Sequence, residues 1–172
     1  MKPAAIGSGL STLLLAACAS MPGGGPGATA SLKPTQGNTA SAMVGFQQMK
    51  AAVLVTVDAQ GLPPGQHGFH IHEKGDCSAP DGTSAGGHFN PTGQPHGDPG
   101  KGEHHAGDIP MLEADANGNA HLETRLEGLT IGSGPTDIVG RAVIIHVAPD
   151  DYHTQPTGNS GARVACGVIV AK

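Results

Sequence analysis

The chain has no tryptophan, one tyrosine and three phenylalanines, so its commonest aromatic ring is imidazole, supplied by ten histidines. Basic side chains are scarce as well. Nine Lys and Arg stand against fourteen Asp and Glu, a formal net charge of −5, which argues against a nucleic acid as partner. No stretch carries a convincing 3.6-residue apolar period and no segment repeats, which excludes a helical bundle and a solenoid. What is abundant is glycine (28) and proline (14). They crowd one N-terminal stretch and elsewhere punctuate short apolar runs, so they mark turns and not wholesale disorder. At 172 residues the chain is long enough for one domain with a real core.

The N-terminus lacks an apolar run of membrane-spanning length. "MKPAAIGSGLSTLLLAAC" has one early Lys and then an uncharged stretch rich in Leu and Ala, a secretory signal pattern too short to span with ordinary flanks. Its end, Leu15 to Cys18, resembles the lipobox of bacterial lipoproteins, in which Cys18 would carry the lipid; the competing reading is a cleaved signal with an incidental cysteine. Ala19, in place of Asp, favours the outer membrane by the same resemblance. The expected organisation is a signal peptide over 1–17, a lipidated Cys18 with a flexible Gly/Pro/Ser/Ala tether over 18–30, and one domain over 31–172. A tether of about 12 residues reaches about 20 Å. The domain is therefore expected at the periplasmic face of the outer membrane, attached by the lipid anchor only, or in the soluble periplasm if Cys18 is unmodified.

Only three cysteines are present. With Cys18 lipidated, Cys77 and Cys166 remain as an even pair, and an oxidising compartment makes a disulfide between them the expectation. The alternative is two free thiols available as metal ligands.

The body reads as short strands between turns: 40–48, 50–60, the segment "QHGFHIHE", two runs flanking "NGN" as a hairpin, 139–148 and 163–172. Residues 74–108, and a second stretch from Asp151 to Ala162, are long loops of the functional kind. The predicted fold is all-β, an eight-stranded antiparallel Greek-key barrel or sandwich with two long functional loops.

In "HGFHIH" (67–72) alternation puts Phe69 and Ile71 on one face and His70 and His72 together on the other. Two imidazoles two residues apart on a strand are a natural pair of metal ligands. Further candidates follow: His88 in "SAGGHFNP", His96 in "GQPHGDPG", His105 and Asp108 in "HHAGD", and His146 in "AVIIHVA". Six His and one Asp exceed one tetrahedral site, so two metals are the economical reading. A loop set of three His and one Asp matches a closed structural Zn²⁺ site. Imidazoles from strands suit Cu(II) in tetragonal nitrogen geometry. A histidine common to both sets would bridge the metals as an imidazolate. Spacing alone does not select copper.

Across residues 29–172, the motifs "GFHIHE", "GDCSAPDG", "SAGGHFNP", "HHAGD", "IIHVAPDD" and "TGNSGARVACGVI" resemble those of the copper–zinc superoxide dismutases, in their bacterial exported form. The resemblance implies copper on His70, His72, His88 and His146, and zinc on His88, His96, His105 and Asp108, with one ion of each per subunit and His88 as the bridge. It implies a Cys77–Cys166 disulfide. Asp150 would join His70 to His96, Arg163 would receive the anion beside copper, and Thr157 would narrow the channel. The implied reaction is disproportionation of superoxide to oxygen and hydrogen peroxide by cycling copper, with a structural zinc, in a monomer or homodimer. His88 would carry a proton and return it.

His67 is expected to be a packed histidine, and His104, His121 and His153 surface residues. The second loop contains no Lys and is shorter than in the cytosolic enzymes it resembles; Lys74 or Lys101 could substitute in guiding the anion. Two alternatives remain at this point. A binuclear zinc hydrolase would need HxHxDH, whereas Glu73 and Lys74 follow His72 here. A non-catalytic copper- and zinc-binding lipoprotein on the same fold would be signalled by loss of a copper ligand or of the arginine, and neither is lost.

Overall fold

A computed structural model describes Met1 and residues 25–172; the expected signal, Cys18 and most of the tether lie outside the described residues. Among the described residues nine strands follow in chain order: β1 (Gly27–Pro34), β2 (Ser41–Gln48), β3 (Ala52–Gln60), β4 (Gly65–His67), β5 (Phe69–His72), β6 (Leu112–Ala114), β7 (Ala120–Glu127), β8 (Ala142–His146) and β9 (Arg163–Ala171). Seven of them form one antiparallel sheet in the order β5-β8-β9-β1-β2-β3-β7, and β4 pairs with β6 separately. The single helical element among the described residues is a 3₁₀ turn, Thr83–Ala85. The non-sequential neighbours β5–β8, β9–β1 and β3–β7 are the crossovers of a Greek key, so the predicted class holds.

Period-2 patterning builds this sheet. Ala28, Ala30 and Leu32 of β1, Val44 and Phe46 of β2, and Val53, Val55 and Val57 of β3 are buried while their neighbours face out. Small and β-branched residues fill the interior, consistent with the scarcity of aromatics. On β5 and β8 every residue is buried. Phe69, Ile71, Val143 and Ile145 join the main core. Ala142 and Ile144 point the other way, into a second small cluster with Ala85 and Cys166 under the loops. His70 stands opposite Ile144 and His72 opposite Ala142 on that same outer face. The two histidines therefore face out of the barrel and are nonetheless covered.

Three expectations are corrected. First, the tether ends sooner than residue 30. β1 begins at Gly27 and is held between β2 and β9; Ala28 and Ala30 are core residues whose small side chains make the segment read as linker. Second, "QHGFHIHE" is two strands. Gly68 interrupts it, its N–H bonding Ala148 O and its carbonyl accepting from His146 N, so β4 pairs with β6 and β5 with β8. Taken as one strand, these two return the predicted eight. Third, the "NGN" turn forms, with Asp115 Oδ1 accepting from Asn117 N and Asn119 N at 2.8 and 2.9 Å. Its arms do not pair with each other, because β6 bonds β4 and β7 bonds β3; the turn carries the chain from the small sheet to the large one.

Candidate metal centre

Strand pairing brings the first loop onto the HxH strand. Isolated bridges join His72 to His88 and His70 to Asp108. They are fixed by hydrogen bonds from Ile71 N to Gly107 O, from Phe89 N to Ile71 O and from Gly107 N to Phe89 O, each 2.8 Å. His146 ends β8 on the same face as Ala142 and Ile144, and an irregularity in the β8–β9 register there sets His146 opposite Arg163. Two quartets result: His70, His72, His88 and His146, and His88, His96, His105 and Asp108. Within each, the candidate ligand atoms all lie within 4.8 Å of one another, and all seven residues are buried.

In the first quartet the outward ring nitrogens are all engaged. His70 Nε2 meets Asp150 Oδ2 at 2.6 Å, His72 Nδ1 meets Gly86 O at 2.9 Å, and His146 Nδ1 meets Gly161 O at 3.0 Å. Each acceptor fixes the ring proton on the outer nitrogen and leaves the inner one a bare lone pair. Those inner atoms, His70 Nδ1, His72 Nε2 and His146 Nε2, are buried with no hydrogen-bond partner, as is His88 Nε2. Four buried, partnerless imidazole nitrogens cost free energy unless something accepts their lone pairs. A borderline-soft divalent ion is the group that fits, and copper is favoured by an all-nitrogen set.

The second quartet is tighter. His88 Nδ1 lies 2.8 Å from Asp108 Oδ1, His96 Nδ1 3.1 Å from Asp108 Oδ2, and His105 Nδ1 3.4 Å from both Asp108 Oδ1 and His88 Nδ1. Ligands on a tetrahedral zinc ion stand about 3.3 Å apart, given bonds of about 2.0–2.1 Å. These separations bracket that value, and the N₃O donor set suits zinc. His96 Nδ1 is in ion-pair range of Asp108 but outside hydrogen-bond geometry, as a lone pair aimed at a central ion would be. The two ring nitrogens of His88 face different quartets.

The electrostatics divide the same way. Burial pushes His146 down to about 3, helped by His70. Burial also lowers His88 to about 4 against the pull of Asp108, and holds His72 well below the ordinary imidazole value. At His96 burial works in the same direction, but the Asp108 and Asp150 carboxylates outweigh it and raise the ring to about 9. Burial opposes ionisation of Asp108 and Asp150, yet the surrounding imidazoles hold both well below the usual carboxylate range.

Asp150 ties the quartets together, accepting from His70 Nε2 at 2.6 Å and His96 Nε2 at 2.9 Å. Tyr152 N donates to it at 2.7 Å, and its own N–H reaches Met111 Sδ at 3.2 Å. Gly158 closes over this pair at φ 67°, and a Cβ there would overlap Asp150 Oδ1 and stand 2.5 Å from His96 Nε2, so only glycine fits. Arg163 is half-buried. Its Nη1 donates to Gly82 O at 2.7 Å and its Nη2 to Gly86 O at 2.6 Å; Gly86 O is also the acceptor for His72. Burial lowers the guanidinium pKa, opposed by Asp81, and a guanidinium stays charged at neutral pH.

Cys77 and Cys166 form a disulfide. It pins the segment that carries Gly82 and Gly86 to β9, which excludes free thiol ligands there. His67 is buried between the carbonyls of His146 and Pro63, at 2.8 Å from each. His121 is exposed against Asp58, and His104 hydrogen-bonds the His105 carbonyl. Lys101 pairs with Asp98 on the surface of the first loop. Sequence reasoning missed the parts played by Met111, Tyr152, Gln155 and Gly158. Gln155 bonds both main-chain groups of His96, Oε1 accepting from the N–H at 2.9 Å and Nε2 donating to the carbonyl at 2.8 Å.

Residues 40–169 match the family model described as copper/zinc superoxide dismutase (SODC). The chain is 40% identical over 140 residues to Superoxide dismutase [Cu-Zn] 2 of Aquifex aeolicus, covering 77% of this chain and 82% of that one. It is 39% identical over 148 residues to Superoxide dismutase [Cu-Zn] of Caulobacter vibrioides, covering 83% and 84%. Among solved structures it is similar to that of the clock protein EA4, with a TM-score of 0.76 at 40% identity, covering 84% of this chain and 93% of that chain.

Proposed function

The chain belongs to the copper/zinc superoxide dismutase family, and from that premise we propose that His70, His72, His88 and His146 hold its copper and that His88, His96, His105 and Asp108 hold its zinc. The enzyme is an oxidoreductase that uses these two metals to convert two superoxide anions and two protons to oxygen and hydrogen peroxide. The observation that carries the site assignment is the set of four buried, partnerless imidazole nitrogens converging in the first quartet. Bound copper supplies the one-electron couple, and zinc, which has no redox chemistry, supplies charge and geometry.

The remaining steps belong to side chains. Arg163 binds the small anion by charge and hydrogen bonding next to His146, its guanidinium aimed by Gly82 O and Gly86 O. Thr157, in the second loop, narrows the approach. His88 Nε2, buried and unpartnered, would hold a proton whenever no metal occupied it and could pass it to the anion, while zinc shared by His88 Nδ1 and Asp108, 2.8 Å apart here, would keep the ring in place. Asp150 holds the His70 and His96 rings in place.

The same proposal extends to location and processing. Residues 1–17 act as an export signal and Cys18 carries the lipid. The Cys77–Cys166 bond supports an oxidising compartment. With β1 starting at Gly27, the tether over 18–26 is short and keeps the barrel near the membrane. Dismutation measured on chain carrying one copper and one zinc tests the function: fast removal of superoxide is expected, and full metal loading without activity favours a binding protein. Incorporation of labelled fatty acid, abolished in Cys18→Ala, tests the anchor.

A further inference from the structure

Gln155 lies in the second loop, yet both strong hydrogen bonds of its amide go to one residue of the first loop. Oε1 accepts from the His96 N–H at 2.9 Å, and Nε2 donates to the His96 carbonyl at 2.8 Å. Taking both the N–H and the C=O of one residue is what a ladder partner does in an antiparallel sheet; here a side chain does it from 59 positions away. The ring of His96 is held by Asp150 from the same loop, at 2.9 Å. Ring and main chain of this one residue are thus fixed together by residues 150–155. The segment around His96 lies in no strand, so it has no sheet ladder of its own to fix it. Gln155 itself is exposed and belongs to neither quartet.

We propose that Gln155 is a positioning residue for the zinc site, and that its clamp on His96 couples zinc occupancy to the order of residues 151–158. The inference rests on His96 being a zinc ligand. The clamp sets the position of the His96 Cα, and hence the direction from which Nδ1 reaches the other three ligand atoms. Coupling of this kind is reciprocal: an ion that immobilises His96 also immobilises Gln155 and the loop that shapes the anion's approach. A metal without redox chemistry thereby acts on the channel.

The test uses the full chain with Gln155→Leu, which keeps the bulk and loses both bonds, and Gln155→Glu, which keeps the acceptor and loses the donor. Zinc affinity is read by chelator competition, hydrogen exchange of residues 151–158 with and without zinc by mass spectrometry, and the melting temperature on metal-free protein. Gln155→Leu is expected to bind zinc about tenfold more weakly and to lose the zinc-dependent protection of residues 151–158. Gln155→Glu should fall between it and the wild type, and the metal-free melting temperatures of all three should agree. Unchanged zinc affinity and protection in Gln155→Leu would overturn the proposal. So would a metal-free melting temperature that falls as far as the zinc-loaded one, since that marks a brace of the fold in general. His96→Ala separates the premise: if it leaves zinc affinity untouched, the zinc assignment itself is wrong.

Discussion

Asp150 and His70 meet at 2.6 Å, Oδ2 to Nε2, with both side chains buried. The other oxygen of the same carboxylate meets His96. One side chain therefore sets the orientation of a ligand in each quartet, and removing it leaves two buried ring N–H groups without acceptors. Asp150→Ala should lower zinc affinity by about 10–100-fold, and should lower copper affinity as well. Chelator competition for each metal checks this; a loss confined to copper would contradict the shared role.

Arg163 should be separable from the metals. Its guanidinium bonds carbonyls and no ligand atom, so Arg163→Ala should keep both ions while dismutation falls by about tenfold or more, in line with the loss of a positioned charge. Arg163→Lys should restore only part, because an ammonium cannot reproduce a planar fork aimed at two carbonyls at once. Metal analysis beside stopped-flow kinetics distinguishes loss of anion binding from loss of copper.

The two quartets should respond to acid differently. His96 titrates at about 9 in the metal-free protein, so below that pH zinc must displace a proton, and zinc affinity should weaken progressively as pH falls. His88 and His146 titrate at about 4 and about 3. At neutral pH these two already present lone pairs, and acid competes for them only as pH approaches those values. Zinc should therefore be lost at higher pH than copper during stepwise acidification. Copper leaving first, followed by metal analysis of the dialysed protein, would contradict the assignment.

The disulfide closes 89 positions of chain. By the chain-entropy argument it stabilises the fold by roughly 4–5 kcal/mol. Its reduction also frees the segment that presents Gly82 O and Gly86 O to Arg163. Cys77→Ser with Cys166→Ser should melt at lower temperature and show reduced activity at full metal content. Calorimetry and kinetics on the same sample check both effects.

The strand that carries His70 and His72 was the most legible part of the chain, because a two-residue period is written directly in "FHIH" and burial of Phe69 and Ile71 follows from it. The loop ligands were legible as candidates, and their division between two metals came from a family resemblance, since spacing alone does not show which nitrogen faces which partner. The start of β1 was hidden by composition: Gly27 to Ala30 reads as linker until β2 and β9 are placed on either side. The partners of β6 and β7 were hidden because a good turn signal at Asn117–Gly118 does not say whether its arms belong to one sheet. Gln155 and Met111 were invisible because they act on main-chain groups of residues far away in sequence, and no pattern in a single chain records such contacts.

The central claim is that four converging imidazoles hold the copper that carries the reaction, with a separate quartet holding zinc. Copper content, zinc content and superoxide dismutation, measured together on the wild type and on His146→Ala, test it most directly. His146 belongs to the first quartet alone. The expected result is one copper and one zinc per chain with activity in the wild type, and retained zinc with copper and activity lost in His146→Ala. Activity that survives in His146→Ala, or zinc lost in place of copper, would contradict it.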